Sequence, residues 1–149
     1  MKSFARAGFA AGPCLLKDTM QLGAFDHGSF VLGQSAMMIN EGLPYLWVQQ
    51  IKKTHDLSTM TVGLLGMAFK PNSDDVRSSL SYKLRKVLIL ESKKVLCADP
   101  YVRDPQLLSQ EDVLAQADII VIGTPHDCYR SMAFRQPVVD ITNTIASTK

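Results

Sequence analysis

From Met60 onward the chain alternates short apolar runs with stretches of helical spacing, and this alternation narrows the possible folds more than any other feature. Four runs read as strands: Thr61-Val62-Gly63-Leu64-Leu65, Lys94-Val95-Leu96-Cys97-Ala98, Asp118-Ile119-Ile120-Val121-Ile122 and Pro137-Val138-Val139-Asp140-Ile141. Helices are expected at 78–91 and 110–116, with a helical turn near 127–132. Strands that are apolar nearly throughout, rather than at every second residue, are buried on both faces, which suits a parallel sheet with helices on each side. The expected fold is α/β, a doubly wound, Rossmann-like parallel sheet.

Upstream, apolar residues recur at helical spacing through Leu32, Ala36, Ile39, Leu43 and Leu46. Asp18-Thr19 reads as a helix start, Asp26-His27-Gly28 as an interruption, and a second helix is expected from near Ser29. Gly42 and Pro44 fall inside that second helix, where proline would bend it. Its apolar surface continues through Tyr45, Trp47, Val48 and Ile51, more than a lone helix beside a small domain can hide, so a partner is expected. The polar stretch 54–59 separates the halves. The expected organisation is a segment 1–18, a helical dimerisation segment 19–55 and a sheet domain 56–149.

At 149 residues and 46% hydrophobic the chain can bury one core. Sixteen basic against 14 acidic residues leave +2, too little to draw the whole molecule to nucleic acid or an anionic membrane. The cluster Lys83, Arg85, Lys86, Lys93, Lys94 lacks interleaved aromatics and reads as a solvated helix face, so no nucleic acid partner is expected. No apolar run nears the roughly 18 to 20 residues that span a bilayer, and the first six residues carry no signal-peptide core. Cys14, Cys97 and Cys128 are odd in number and widely spaced, which fits a reducing compartment; a cytoplasmic location without membrane attachment is expected. The three histidines are equally scattered, and no metal site is expected.

In doubly wound sheets ligands bind beyond the carboxyl ends of the strands, where the strand order reverses. Loops 66–77 and 123–127 qualify. The first brings Lys70 and Arg77 beside a helix start near Ser78 and Ser79, an arrangement that favours an anion such as a phosphorylated ligand. The first turn has only Gly63-Leu64-Leu65-Gly66 and lacks G-x-G-x-x-G, so the usual backbone cradle for a dinucleotide pyrophosphate is missing. Asp99 either grips a ribose or, with Pro100, ends the strand in a turn; the turn is the favoured reading.

Near the amino end lies Gly8-Phe9-Ala10-Ala11-Gly12-Pro13-Cys14-Leu15-Leu16-Lys17-Asp18. Its small residues allow close approach to a ligand just before a cysteine. A buried, inert cysteine is the bland reading, but a thiol at a helix entrance with an ammonium and a carboxylate following supplies a nucleophile, charge stabilisation and a base.

Gly12-Pro13-Cys14-Leu15-Leu16-Lys17-Asp18-Thr19 resembles the catalytic-cysteine segment of the UDP-glucose/GDP-mannose dehydrogenases, the NAD-dependent nucleotide-sugar dehydrogenases. The stretch from Gly63 to Ser79, with Phe69-Lys70-Pro71-Asn72-Ser73-Asp74-Asp75-Val76-Arg77 at its centre, resembles the opening of their carboxyl-terminal nucleotide-sugar domain. Asp99-Pro100, the strand at Ile119 and Val138-Val139-Asp140 follow in family order.

The resemblance implies oxidation of a sugar primary alcohol, in a UDP- or GDP-sugar substrate, to a carboxylate with NAD as cofactor, through a cysteine thiohemiacetal and thioester. It implies Cys14 as nucleophile, Asp18 for water activation or proton handling, and Lys17 as a further catalytic residue. Substrate binding falls to Phe9, Ala11, Gly12, Phe69 and Lys70, the cofactor side of the cleft to Arg77, and a homodimer to residues 29–53. Ala10-Ala11 stands where many members have glycines, Leu16 where proline is common, and Thr142-Asn143 where some place a substrate-binding arginine. The family's amino-terminal NAD-binding domain has no counterpart in these 149 residues. The expectation is a carboxyl-terminal part, inactive alone; the alternative is a non-catalytic nucleotide-sugar-binding and dimerisation module that partners a full-length enzyme.

Overall fold

The computed structural model describes residues 8–145. Two helices, α1 (Pro13–Phe25) and α2 (Val31–Lys52), lead into β1 (Thr61–Leu65), α3 (Leu80–Glu91), β2 (Lys94–Ala98), α4 (Gln110–Gln116), β3 (Ile119–Ile122) and β4 (Val138–Asp140). All strand pairs are parallel and the order is β2-β1-β3-β4. The chain therefore steps from β1 to β2, then crosses back to the other side of β1, and the order reverses between β1 and β3 as the sequence implied.

The helix start is the main correction. α1 opens at Pro13, five residues before Asp18-Thr19, because proline at the first helical position gives up only an amide that has no intrahelical partner. Gly12 supplies the entry at φ +120°. Thr19 caps nothing; its hydroxyl donates to the Leu15 carbonyl at 2.7 Å inside the helix. The interruption falls as expected, with His27 and Gly28 at φ +48° and +82°. α3 starts at Leu80 rather than Ser78, since Ser78 takes φ +56° and Ser79 is the cap, its Oγ accepting from the Ser81 amide.

Each sheet face carries its own core. Val62, Leu64, Cys97, Ile119 and Val121 pack with Leu84 and Leu88 of α3 and with Val48 and Ile51 of α2. On the other face Leu65, Leu96, Ile120 and Ile122 pack with Val113 of α4 and with Tyr129. α2 thus has two unlike faces: Asn40, Pro44, Val48 and Ile51 are buried, whereas Leu32, Ile39 and Leu46 of the apolar stripe read from the sequence stand exposed. Ion pairs Lys83–Glu41 and Lys52–Glu91 tie α3 to α2, so Lys83 is not simply solvated. No helix of the described residues is long and apolar enough to cross a membrane.

Candidate functional site

The cysteine segment is held from two sides. Asn40 of α2, buried, accepts from the Ala10 amide at 3.1 Å and donates to the Ala10 carbonyl at 2.5 Å, so one side chain satisfies both backbone groups as a neighbouring strand would. On the other side Gly12 lies against Phe69, where an added Cβ would sit 3.0 Å from the ring. Cys14 follows in the first turn of α1 and is exposed.

Phe69 divides two hollows. A cavity of about 300 Å³ is bounded by Phe9, Ala10 and Ala11 on one side and by Lys70, Ser81 and Thr124 on the other. An open groove of about 550 Å³ holds Gly12, Cys14 and Asp18, and Ala11, Leu15 and Phe69 line both hollows. The cysteine segment and the loop after β1, more than 50 residues apart in sequence, therefore meet within one subunit.

The loop that carries Phe69 and Lys70 is fixed almost residue by residue. The Met67 and Ala68 amides donate to Asp99 Oδ2 at 2.6 and 3.1 Å, and the Ala68 carbonyl accepts from Thr124 Oγ1 at 2.6 Å and Ser79 Oγ at 3.2 Å. The Phe69 amide donates to the Asp75 carbonyl. Asp99 Oδ1 accepts from the Tyr101 and Val102 amides, and Oδ2 lies 3.0 Å from His126 Nε2. Burial alone would raise the Asp99 pKa, but the His126 bond and the Met67 and Tyr101 amides outweigh it and hold the carboxyl at about 2. His126 Nδ1 in turn accepts from the Asn72 amide at 2.9 Å, and both side chains of the His126–Asp99 pair are wholly buried.

The candidate residues separate into groups. Phe9, Ala11, Gly12, Cys14, Asp18, Phe69 and Lys70 all border the two hollows. Lys17 lines neither; it is exposed and pairs with Asp18 at 3.3 Å. Arg77 is exposed and already engaged, since its Nε and Nη2 donate to Asp75. That hydrogen bonding raises the Arg77 pKa, with smaller pushes from the Asp75 and Cys14 charges, and it holds the Asp75 carboxyl at about 2. The start of α3 is less open to an anion than the sequence suggested, because the Ser79 amide is bonded to the Val76 carbonyl and the Ser81 amide to Ser79 Oγ. Asp99 does not face a ribose: its oxygens are spent on backbone amides and His126, which is the turn reading enlarged.

Gly66, which follows β1 at φ +88°, lies against the Thr124 backbone so closely that an added Cβ would meet the Thr124 amide nitrogen at 2.7 Å, so the packing of the loops after β1 and β3 requires glycine there. Among the described residues no group of three or more His, Cys, Asp or Glu could hold a metal ion. Sequence reasoning missed Asn40 and His126. The signal for Asn40 was a polar residue in register with Pro44 and Val48; for His126 it was a histidine placed just after an apolar strand at the reversal point.

The chain is 34% identical over 126 residues to the UDP-N-acetyl-D-mannosamine dehydrogenase of Pyrococcus horikoshii, a match covering 81% of this chain and 30% of that protein. It is 30% identical over 143 residues to the UDP-glucose 6-dehydrogenase AglM of Haloferax volcanii, covering 87% of this chain and 33% of the relative. The structure of the UDP-D-ManNAc dehydrogenase from Pyrococcus horikoshii superposes with a TM-score of 0.83 at 30% identity, over 99% of this chain and 38% of that one. That of the GDP-mannose dehydrogenase of Pseudomonas aeruginosa gives 0.81 at 23% identity, a likeness of fold, over 100% of this chain and 40% of the other. The chain thus spans about a third of the length of these relatives. The UDP binding domain of the UDP-glucose/GDP-mannose dehydrogenase family matches residues 63–147, more than half of the sequence, and the chain belongs to that family.

Proposed function

We propose that this chain is the substrate-holding, cysteine-bearing part of a nucleotide-sugar dehydrogenase that oxidises the primary alcohol of a UDP- or GDP-sugar to a carboxylate. The observation that carries the reading is the meeting of the Cys14 groove and the Lys70 cavity on the two sides of Phe69. Lys70 is exposed at the cavity and offers an ammonium to a phosphate; Phe9 and Phe69 offer apolar walls. The small side chains of Ala10, Ala11 and Gly12 leave room for the sugar to reach the sulfur.

In this reading Cys14 Sγ adds to the carbon of the sugar aldehyde, its S–C bond forming as the carbonyl π pair moves to oxygen and takes a proton. Once that adduct has been oxidised to a thioester, water adds to the carbonyl carbon, the C–S bond breaks, and sulfur leaves with its electron pair to be reprotonated. Asp18, one helical turn from Cys14 in the same groove, takes the proton from that water; Lys17, paired to Asp18, orients its carboxylate. NAD supplies the hydride acceptor of family chemistry, and the lack of G-x-G-x-x-G in the turn after β1 supports a binding site for it in parts of the relatives that this chain does not span. Arg77 approaches that cofactor only if Asp75 releases it.

The exposed residues Leu32, Met38, Ile39 and Leu46 support a homodimer through residues 29–53, since apolar side chains in such number on one helix are stabilised by a second copy. Three free cysteines go with a reducing, cytoplasmic setting.

Calorimetric titration of the chain with UDP, UDP-glucose and GDP-mannose tests the reading. Saturable binding of at least one, weakened about tenfold by Lys70→Gln, is the expected result. No heat of binding with any of them at millimolar concentration contradicts it.

A further inference from the structure

We propose that Asp99 and His126 form one positioning unit for Lys70, holding the nucleotide-sugar side of the cavity ready before a ligand arrives; this rests on the role given to Lys70 above. Lys70 is bracketed. Two residues before it the Ala68 amide is bonded to Asp99, and two residues after it the Asn72 amide is bonded to His126. Asp99 and His126 are bonded to each other, so both flanks of Lys70 hang from one buried pair.

The proton placement follows from the partners. Nδ1 of His126 accepts from the Asn72 amide, which leaves the ring proton on Nε2, where it is donated to Asp99. The loops after β1, β2 and β3 each contribute one member, Asn72, Asp99 and His126, so the unit ties together the three strand ends that border the ligand site. Asn72 adds a second tie to the third loop, its side chain pairing with the backbone and carboxylate of Asp127, and it takes φ +52° to do so. A buried carboxylate held by a neutral imidazole and backbone amides is a costly way to gain stability alone, whereas a fixed geometry for a charged ligand contact is a use that repays it.

The test is a double-mutant cycle in the whole chain, read by calorimetry with UDP. His126→Asn can keep the Asn72 bond but not the reach to Asp99; His126→Gln can keep the donor to Asp99 but not the Asn72 bond. Each is expected to weaken UDP binding between threefold and the full tenfold of Lys70→Gln when Lys70 is present and less than twofold in a Lys70→Gln background. A purely structural role predicts the same factor in both backgrounds, and that result overturns the proposal, as does a folded His126→Asn variant with affinity within twofold of the parent. Amide hydrogen exchange is the ligand-free arm: Met67, Ala68 and Asn72 should be protected in the parent and selectively released in either variant while β1 and β3 stay protected. If the parent binds no UDP, the functional reading fails and exchange alone decides; unprotected amides at these three positions then overturn the positioning role as well.

Discussion

Asp99 and Tyr129 are buried polar groups on the same side of the molecule with opposite accounts. Asp99 is satisfied by four amides and a histidine, and its folded pKa, about 2, lies below the ordinary carboxylate value of 3.8. A lowered pKa contributes stability that is full above the unfolded value and is lost as pH falls toward the folded one. Unfolding free energy should therefore drop by about 2 kcal/mol between roughly pH 5 and pH 2 from this group. Urea unfolding of Asp99→Asn should be weaker at neutral pH and flatter across that window; an unchanged slope counts against the assignment. The Tyr129 hydroxyl, by contrast, is buried with no hydrogen-bond partner among the described residues, and burial pushes its pKa up. Tyr129→Phe removes an unsatisfied group at nearly constant volume, so stability should hold or rise by up to about 1 kcal/mol in the same assay. The turn at Asp99 was legible from Asp-Pro after a strand. Its bond to His126, 27 residues away, was not, because that contact exists only once β1, β2 and β3 lie side by side.

At the scale of elements, α2 shows how far periodicity reaches. The apolar surface read from the sequence, Leu32, Ala36, Ile39, Leu43 and Leu46 continuing through Tyr45, Trp47, Val48 and Ile51, divides in the structure: Leu32, Ala36, Ile39, Tyr45 and Leu46 are exposed, whereas Val48 and Ile51 are buried in one row with Asn40 and Pro44. Hydrophobic spacing finds a helix, yet it does not say which apolar row faces the chain's own sheet when two rows compete. The two rows predict different outcomes. Ile51→Ala, in the core at 3% exposure, should cost about 3 kcal/mol of stability. Ile39→Glu, at 64% exposure, should leave the subunit's own stability within about 0.5 kcal/mol but abolish the proposed dimer in sedimentation equilibrium. A monomeric parent would remove the basis of that dimer. The start of α1 differs from the sequence expectation for a local reason: Asp18-Thr19 has capping chemistry, but Gly12-Pro13 has the backbone for an earlier entry, and backbone conformation wins.

Across the whole molecule the alternation of strand and helix determined the architecture, and strand positions from the sequence agree with those observed to within a residue or two. The sequence did not reveal how the loops interlock beyond the strands. Gly66 is one instance, since its positive φ and the Thr124 backbone both exclude a side chain; Gly66→Ala should cost at least about 2 kcal/mol and loosen the ligand loops together.

Amide chemical-shift mapping of the chain during titration with UDP-glucose asks most directly whether two distant stretches of sequence share one ligand. Concerted shifts are expected at Phe9–Gly12 and Cys14 and at Phe69–Lys70, saturating with one affinity. Saturable shifts confined to either stretch alone, or to the opposite end of the sheet, would contradict a shared ligand.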